Sequence, residues 1–240
     1  MKFTLLGTGD AVGTPKIGCD CPQCTRAQQT GTIRLRTSIL LENEGKRILI
    51  DSSPDLRQQL IRQGSPHIDA VLWTHGHYDH FIGFGEFYRV QKIPPAFAPE
   101  PVLTYCSEIF RFLSFDKIAV EPYKPFELAG VSITPVIVKH PPAFTCGYVF
   151  CANGARVGFT SDTNTGIPEK SLALLENLDL LLVDALVPSH ITIHKHMNYL
   201  DACMLADRLK AKEYRCIHIS HMMPWEYPHL AYDGEVFEFA

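Results

Sequence analysis

The chain has 240 residues, 46% hydrophobic and 20% charged, and no apolar run reaches the roughly 18 residues needed to span a bilayer. That composition excludes disordered, collagenous and low-complexity classes and suffices for one sizeable core. With 22 Lys+Arg against 26 Asp+Glu the net charge is −4, which lacks the basic excess of a nucleic-acid binder but leaves a small phosphate ester open.

Lys2–Leu6 reads as a strand ending at Gly7-Thr8-Gly9, and its apolar stretch is too short for a secretion signal, so a soluble, cytoplasmic protein is expected. Ser38–Glu42 and Arg47–Asp51 form a predicted hairpin across Asn43-Glu44-Gly45. Pro54–Gln63 reads as a helix, with Pro at its start and Gly64 past its end. Ala70–Thr74 is a short apolar strand running into His75. Phe84–Pro101 gives no pattern beyond a Pro-rich loop. Val102–Tyr105 reads as a further strand, with Ser107 capping a short helix behind it. Val131–Val138, Tyr148–Cys151 and Arg156–Thr160 read as strands, the last two joined by a turn at Asn153-Gly154. A helix starts at Pro168 and runs to about Glu176. Leu180–Val183 is wholly apolar and reads as a central strand running into Asp184. Asn198 caps a predicted helix to Leu209, Tyr214–His218 is another strand, and Glu235–Phe239 follows a turn at Tyr232-Asp233-Gly234. Strands and helices interleave without linker or repeat, which predicts one mixed α/β domain over residues 1–240, sheets inside and helices outside.

The unusual counts are eleven histidines and eight cysteines. His75-Gly76-His77-Tyr78-Asp79-His80 places four metal-ligand side chains in six positions behind a strand. An α-helix cannot converge them, because i and i+2 do not face one another; a loop can, with Gly76 easing the turn. Imidazole and carboxylate suit Zn, Mn or Fe. Cys19-Asp20-Cys21-Pro22-Gln23-Cys24 crowds three thiols together without a secretion signal, which fits reduced metal-binding thiolates better than disulfides. Cys106, Cys146, Cys151, Cys203 and Cys216 sit in apolar settings and read as packed residues.

The HGHYDH segment resembles the H-x-H-x-D-H signature of the metallo-β-lactamase superfamily. The resemblance implies a four-layer αβ/βα sandwich with a dinuclear site at the sheet edges. It implies that His75, His77 and His140 hold one metal, that Asp79, His80 and His218 hold the other, and that Asp162 bridges them. The expected cofactors are thus two catalytic divalent metals (Zn, Mn or Fe), which share a hydroxide as nucleophile. The segment 18–25 is similar to the cysteine-rich insert of the PhnP-like phosphoribosyl cyclic phosphodiesterases. The similarity implies one structural Zn held by Cys19, Cys21, Cys24 and His221. Gly7-Thr8-Gly9, Ile50-Asp51, Gly147-Tyr148, Ser161-Asp162-Thr163 and Tyr232-Asp233-Gly234 extend the likeness; residues 84–130 and the Pro141-Pro142 pair depart from it.

The expected activity is a metal-dependent phosphodiesterase acting on a small cyclic phosphodiester, of phosphoribosyl 1,2-cyclic or nucleoside 2′,3′-cyclic phosphate type. His196, Asp79 and Asp162 are the expected catalytic residues. His196 is the best match for the general acid and His194 the second; Asp51 and Asp184 are candidates to orient a histidine or else ordinary strand-end carboxylates. The rivals are a PqqB-like non-hydrolytic protein of cofactor biosynthesis, a tRNA 3′-processing nuclease, and a carbonyl-ester hydrolase. The expected partner is a small phosphate-ester substrate, without membrane or nucleic acid, and a homodimer is the default assembly.

Overall fold

Alternation within the strands decides how the sheets are covered. In Lys46–Ile50, Ile48 and Ile50 face the centre of the molecule and Leu49 faces outward; in Leu180–Asp184, Leu180 and Leu182 face the centre and Leu181 and Val183 outward. Both faces of these strands are buried, which is why they read as continuous apolar runs.

The computed structural model describes residues 1–240. The strands in chain order are β1 (Lys2–Gly7), β2 (Ser38–Asn43), β3 (Lys46–Ile50), β4 (Ala70–Leu72), β5 (Ala96–Ala98), β6 (Lys117–Ala119) and β7 (Phe126–Leu128). They continue as β8 (Val131–Ile137), β9 (Cys146–Ala152), β10 (Ala155–Phe159), β11 (Leu180–Asp184), β12 (Glu213–Ile217) and β13 (Val236–Glu238). The helices are α1 (Pro22–Thr30), α2 (Leu56–Arg62), α3 (Tyr78–Phe81), α4 (Glu100–Ile109), α5 (Glu169–Leu174) and α6 (Tyr199–Arg208).

A seven-stranded sheet runs β13-β1-β2-β3-β4-β5-β6, and a six-stranded sheet runs β12-β11-β10-β9-β8-β7. Phe3, Leu5, Ile39 and Leu72 of the first sheet share one core with Tyr148, Phe150, Phe159 and Ile217 of the second. Outside the first sheet, Trp73, Phe84 and Phe110 pack with Leu56 of α2, Phe81 of α3 and Val102 and Cys106 of α4. Outside the second, Val149, Leu181 and Val183 pack with Leu172 of α5 and Ala202 and Ala206 of α6. The result is the αβ/βα sandwich of the metallo-β-lactamase fold. Each fully buried Leu, Ile or Phe contributes roughly 1.5–3 kcal/mol by leaving water. The β3-β4-β5-β6 and β10-β11-β12 runs are parallel, so their carboxyl ends gather on common rims.

Most predicted elements lie within two residues of their observed ends. The expected strand at Val102–Tyr105 is instead the middle of α4. Pro101 sits in its first turn, where a missing N–H costs nothing, and Glu100 suits the positive end of the helix. Val102, Leu103, Cys106 and Phe110 recur at helical spacing and meet the outer core; four apolar residues alone do not distinguish the two periods. Ser107 is consequently a buried residue inside α4, not its cap. Asn198 does cap α6: its side chain accepts from Asp201 N while the Asp201 carboxylate accepts from Asn198 N.

Candidate metal centre

The histidine-rich segment leaves β4 as an extended stretch and becomes a single helical turn at Tyr78. The break separates the donors: His75 and His77 precede the turn, Asp79 and His80 lie on it. Gly76 is required by packing rather than by its own backbone angle. A Cβ there would lie 2.4 Å from Cδ1 of Tyr105, whose ring rests on the turn. His140 follows β8, Asp162 follows β10, Asp184 ends β11 and His218 follows β12.

Donor atoms of His75, His77, His140 and Asp162 lie within 4.8 Å of one another, and so do those of Asp79, His80 and His218. Asp162 stands between the two groups. Its Oδ2 is 3.6 Å from His75 Nε2 and 3.4 Å from His218 Nε2, and its Oδ1 is 3.4 Å from His80 Nε2. Asp79 Oδ2 lies 3.3 Å from His80 Nε2 and 3.5 Å from His218 Nε2.

The far nitrogens fix the protons. Thr74 Oγ1 donates its one hydrogen to Asp51 at 2.8 Å, so His75 Nδ1, 3.0 Å from that hydroxyl, is the donor there. His140 Nδ1 donates to the carbonyl of Lys195 at 3.1 Å, and His80 Nδ1 donates to Asp51 at 2.7 Å. The neutral His75 and His140 rings therefore present bare Nε2 atoms, and both face His77 Nδ1, at 3.1 and 3.0 Å. One proton on His77 can satisfy only one of them, so converging lone pairs remain. Nε2 of His80 and Oδ1 of Asp162 are buried without a hydrogen-bond partner. Three imidazoles around one point, and two imidazoles with two carboxylates around the next, form a donor set that fits divalent cations.

Electrostatics divide the groups in the same way. Burial holds His75, His77 and His140 below the usual imidazole range, so they are neutral. Burial also opposes charge on His80 and His218. Asp162 is the main opposing influence on both, aided by Asp79 and Asp51 at His80 and by Asp184 and Asp79 at His218, and it holds them well above that range. Burial would raise Asp162 itself, but His218 and His80 hold it well below the usual carboxylate range.

His196, expected from its place before α6, reaches the centre. Its ring stacks on His218 at 5.1 Å and meets the His140 ring edge-on at 4.6 Å, and its Nδ1 donates to Asp184 at 3.0 Å. His194 does not reach it; its side chain is exposed, and its carbonyl accepts from Asn164. Asp51 and Asp184 both prove to be histidine-orienting carboxylates, Asp184 lying also 3.6 Å from His218 Nδ1. Thr74 and the Lys195 carbonyl were not anticipated: nothing marks one threonine or one backbone oxygen in a sequence. Donor atoms of Cys19, Cys21, Cys24 and His221 also lie within 4.8 Å of one another. Cys21 Sγ is 3.5 Å and Cys19 Sγ 3.6 Å from His221 Nδ1, and Lys16 N donates to Cys24 Sγ. Burial opposes thiolate formation at Cys21, but the hydrogen bond from His221 leads the interactions that bring its thiol down to about 6.

Known proteins share the fold and part of the sequence. The chain is 30% identical over 249 residues to an octanoyltransferase of Porphyromonas gingivalis, a match covering 96% of this chain and 48% of that protein. It thus spans about half the length of that relative. It superposes on a diphosphatase of the PhnP family with a TM-score of 0.88 at 32% identity, covering 100% of this chain and 98% of the other. It also shares its fold with Zn²⁺-bound PqqB of Methylobacterium extorquens, with a TM-score of 0.85 at 22% identity and full coverage of both chains. The family model of the beta-lactamase superfamily domain matches residues 46–219, a stretch that contains every donor of the histidine–aspartate centre, and the chain belongs to that superfamily.

Proposed function

We propose that the chain is a dinuclear metal-dependent phosphodiesterase that opens a small cyclic phosphodiester. The observation that carries this is Asp162 set between two groups of three donors, with His196 beside both. His75, His77 and His140 would hold one cation and Asp79, His80 and His218 the other, with Asp162 placed between the two groups. Zn, Mn or Fe suits these positions, and Zn suits the four-donor cluster of Cys19, Cys21, Cys24 and His221. Bound there, two cations would lower the pKa of water and offset charge that develops on phosphate.

The chain's own groups do the rest. Asp51 and Asp184 fix the rings of His80 and His196 through their second nitrogens. Oxygen from water bonds to phosphorus, the ring P–O bond breaks, and the departing alkoxide needs a proton. His196 has Nδ1 committed to Asp184, which leaves Nε2 to deliver that proton. The cysteine segment at about 18–25 staples the start of the chain to the segment after β12, and residues 1–240 act as one unit. Reduced thiols support work in a reducing compartment such as the cytoplasm. No helix is long and apolar enough to cross a membrane. The net charge of −4 supports a small substrate over nucleic acid.

The test is phosphorus NMR of the metal-loaded protein with a cyclic phosphodiester, using Asp162→Ala as the blank. Ring opening to a monoester in the parent alone is expected; equal turnover in the variant would overturn the bridging role. His196→Gln should slow alkoxide departure by roughly 10²–10⁴ and affect 4-nitrophenolate departure far less, since that group needs no acid. The PhnP-family relative is a diphosphatase, and a diphosphate also carries phosphorus with two substituted oxygens, so diphosphates form the second substrate class to assay.

A further inference from the structure

Two stretches departed from the family pattern in the sequence: residues 84–130 and the prolines after His140. The structure brings them together. Pro101, Val102 and Tyr105 of α4 and Pro142, Ala143 and Phe144 line a groove of about 340 Å³ together with Gly76 and His77. The groove therefore opens directly onto the first donor group, since His77 belongs to both. Its volume falls within the range of small-molecule sites, which are largely apolar.

Its chemistry is selective. Apart from His77 no ionisable side chain other than the Tyr105 phenol lines it, and neither Lys nor Arg is present. A second phosphate, such as a sugar 5-phosphate would carry, finds no cation there. Tyr105 is 54% exposed and Phe144 37% exposed, although both are large and apolar in body. Tyr105 is nevertheless held in place: its ring lies on the Gly76 turn and meets Phe81 edge-on at 6.1 Å. A fixed ring with one open face and a second exposed ring along the same groove suit a flat aromatic ligand. An alkyl chain is better served by an enclosed tunnel than by these open walls.

We propose that this groove is the subsite for the organic half of the substrate, and that it takes a nucleobase. On the phosphodiesterase reading, on which this rests, the preferred substrate is a nucleoside 2′,3′-cyclic phosphate. Tyr105 and Phe144 are then specificity-determining residues that contact the base.

The experiment pairs two cyclic diesters with the same reacting phosphate: adenosine 2′,3′-cyclic phosphate and methyl riboside 2,3-cyclic phosphate, which lacks the base. The parent protein should prefer the adenosine compound by about tenfold or more in kcat/KM, the usual worth of one stacked base. Tyr105→Ala and Phe144→Ala should each shrink that preference about tenfold, chiefly through KM. Equal losses on both compounds, or no preference in the parent, would overturn the subsite. So would a preference for 4-nitrophenyl octanoate carried by the same two residues, which would make the groove an acyl site. Binding of adenosine itself, followed by saturation-transfer NMR, separates the two proposals because it needs no turnover. Adenosine binding that is lost in Phe144→Ala, without hydrolysis of any diester, would keep the subsite and remove the phosphodiesterase reading. Absence of adenosine binding together with turnover of the methyl riboside would do the reverse.

Discussion

Asp184→Asn tests how the carboxylate at the end of β11 governs the centre. Its Oδ2 accepts from Thr163 N at 3.1 Å, His196 Nδ1 at 3.0 Å and Met197 N at 3.3 Å, while Oδ1 faces His218 Nδ1 at 3.6 Å. The asparagine has one oxygen to place. Turned toward the three donors it keeps three hydrogen bonds; turned away it loses them, at about 1 kcal/mol each. The amide nitrogen must therefore face His218 Nδ1. That favours the His218 tautomer with its proton on Nε2, the atom directed at Asp79 and Asp162. A protonated Nε2 cannot bind a cation. The expected result is a loss of about one metal equivalent by elemental analysis, with affinity or turnover reduced about 10–100-fold. His196, still held, should keep its leaving-group dependence. Full metal content with unchanged kcat/KM in a folded Asp184→Asn protein would refute this account of His218.

Asp233 supplies a pH prediction away from the centre. Burial pushes its carboxyl up to about 6, against hydrogen bonds from Leu35 N, Thr8 Oγ1 and Thr8 N that favour the ion. A folded value above the unfolded one gives stability that is complete below about 4 and lost as pH rises through 6. The loss is on the order of 3 kcal/mol. Asp233→Asn mimics the neutral carboxyl, so urea titrations of parent and variant should agree near pH 4 and diverge above pH 6, the variant being the more stable; a pH-independent difference would contradict it. Cys21→Ser should remove about one zinc equivalent and lower the melting temperature, while leaving metal at the histidine centre; unchanged zinc content would make the cluster free thiols. Ser161→Gly should leave stability unchanged or raise it by about 1 kcal/mol, because Ser161 has φ 54° and a buried hydroxyl without a partner. A loss of 2 kcal/mol or more in thermal unfolding would show that its side chain packs.

Legibility followed the physics of each element. Long alternating or wholly apolar runs such as β8 and β11 declare themselves, and so does the Asn198 cap, because each is a local pattern. β5, β6 and β7 are three residues each, too short to establish a period, and their place in the sheets comes from neighbours distant in sequence. The metal donors could be named because HGHYDH resembles a family signature, which directed attention to His140, Asp162 and His218 near later strand ends. The structure brings the donor atoms of those residues close together. The groove could not be read. Tyr105 and Phe144 come from a helix and a loop 39 positions apart, and nothing local pairs them.

Three of the twelve non-glycine residues with left-handed backbone lie at the centre. Asp51, Ser161 and His218 have φ of 57°, 54° and 60°, and each lies within two residues of the end of a strand, β3, β10 and β12. Left-handed conformation costs an L-residue on the order of 1 kcal/mol, and here it recurs at one rim of two facing sheets. The geometry of strands gives a reason. Side chains leave a strand along the sheet normal, alternating between the two faces, so a donor continuing the strand would point into the core or out to a helix. A left-handed residue turns the chain at the strand end and lets Asp51, Asp162 and His218 lie over the rim, where the donors of both sheets converge. The buried layers on either side of each sheet hold those turns in place. Left-handed turns at Asp51, Ser161 and His218 are therefore part of how two separate sheets build one site.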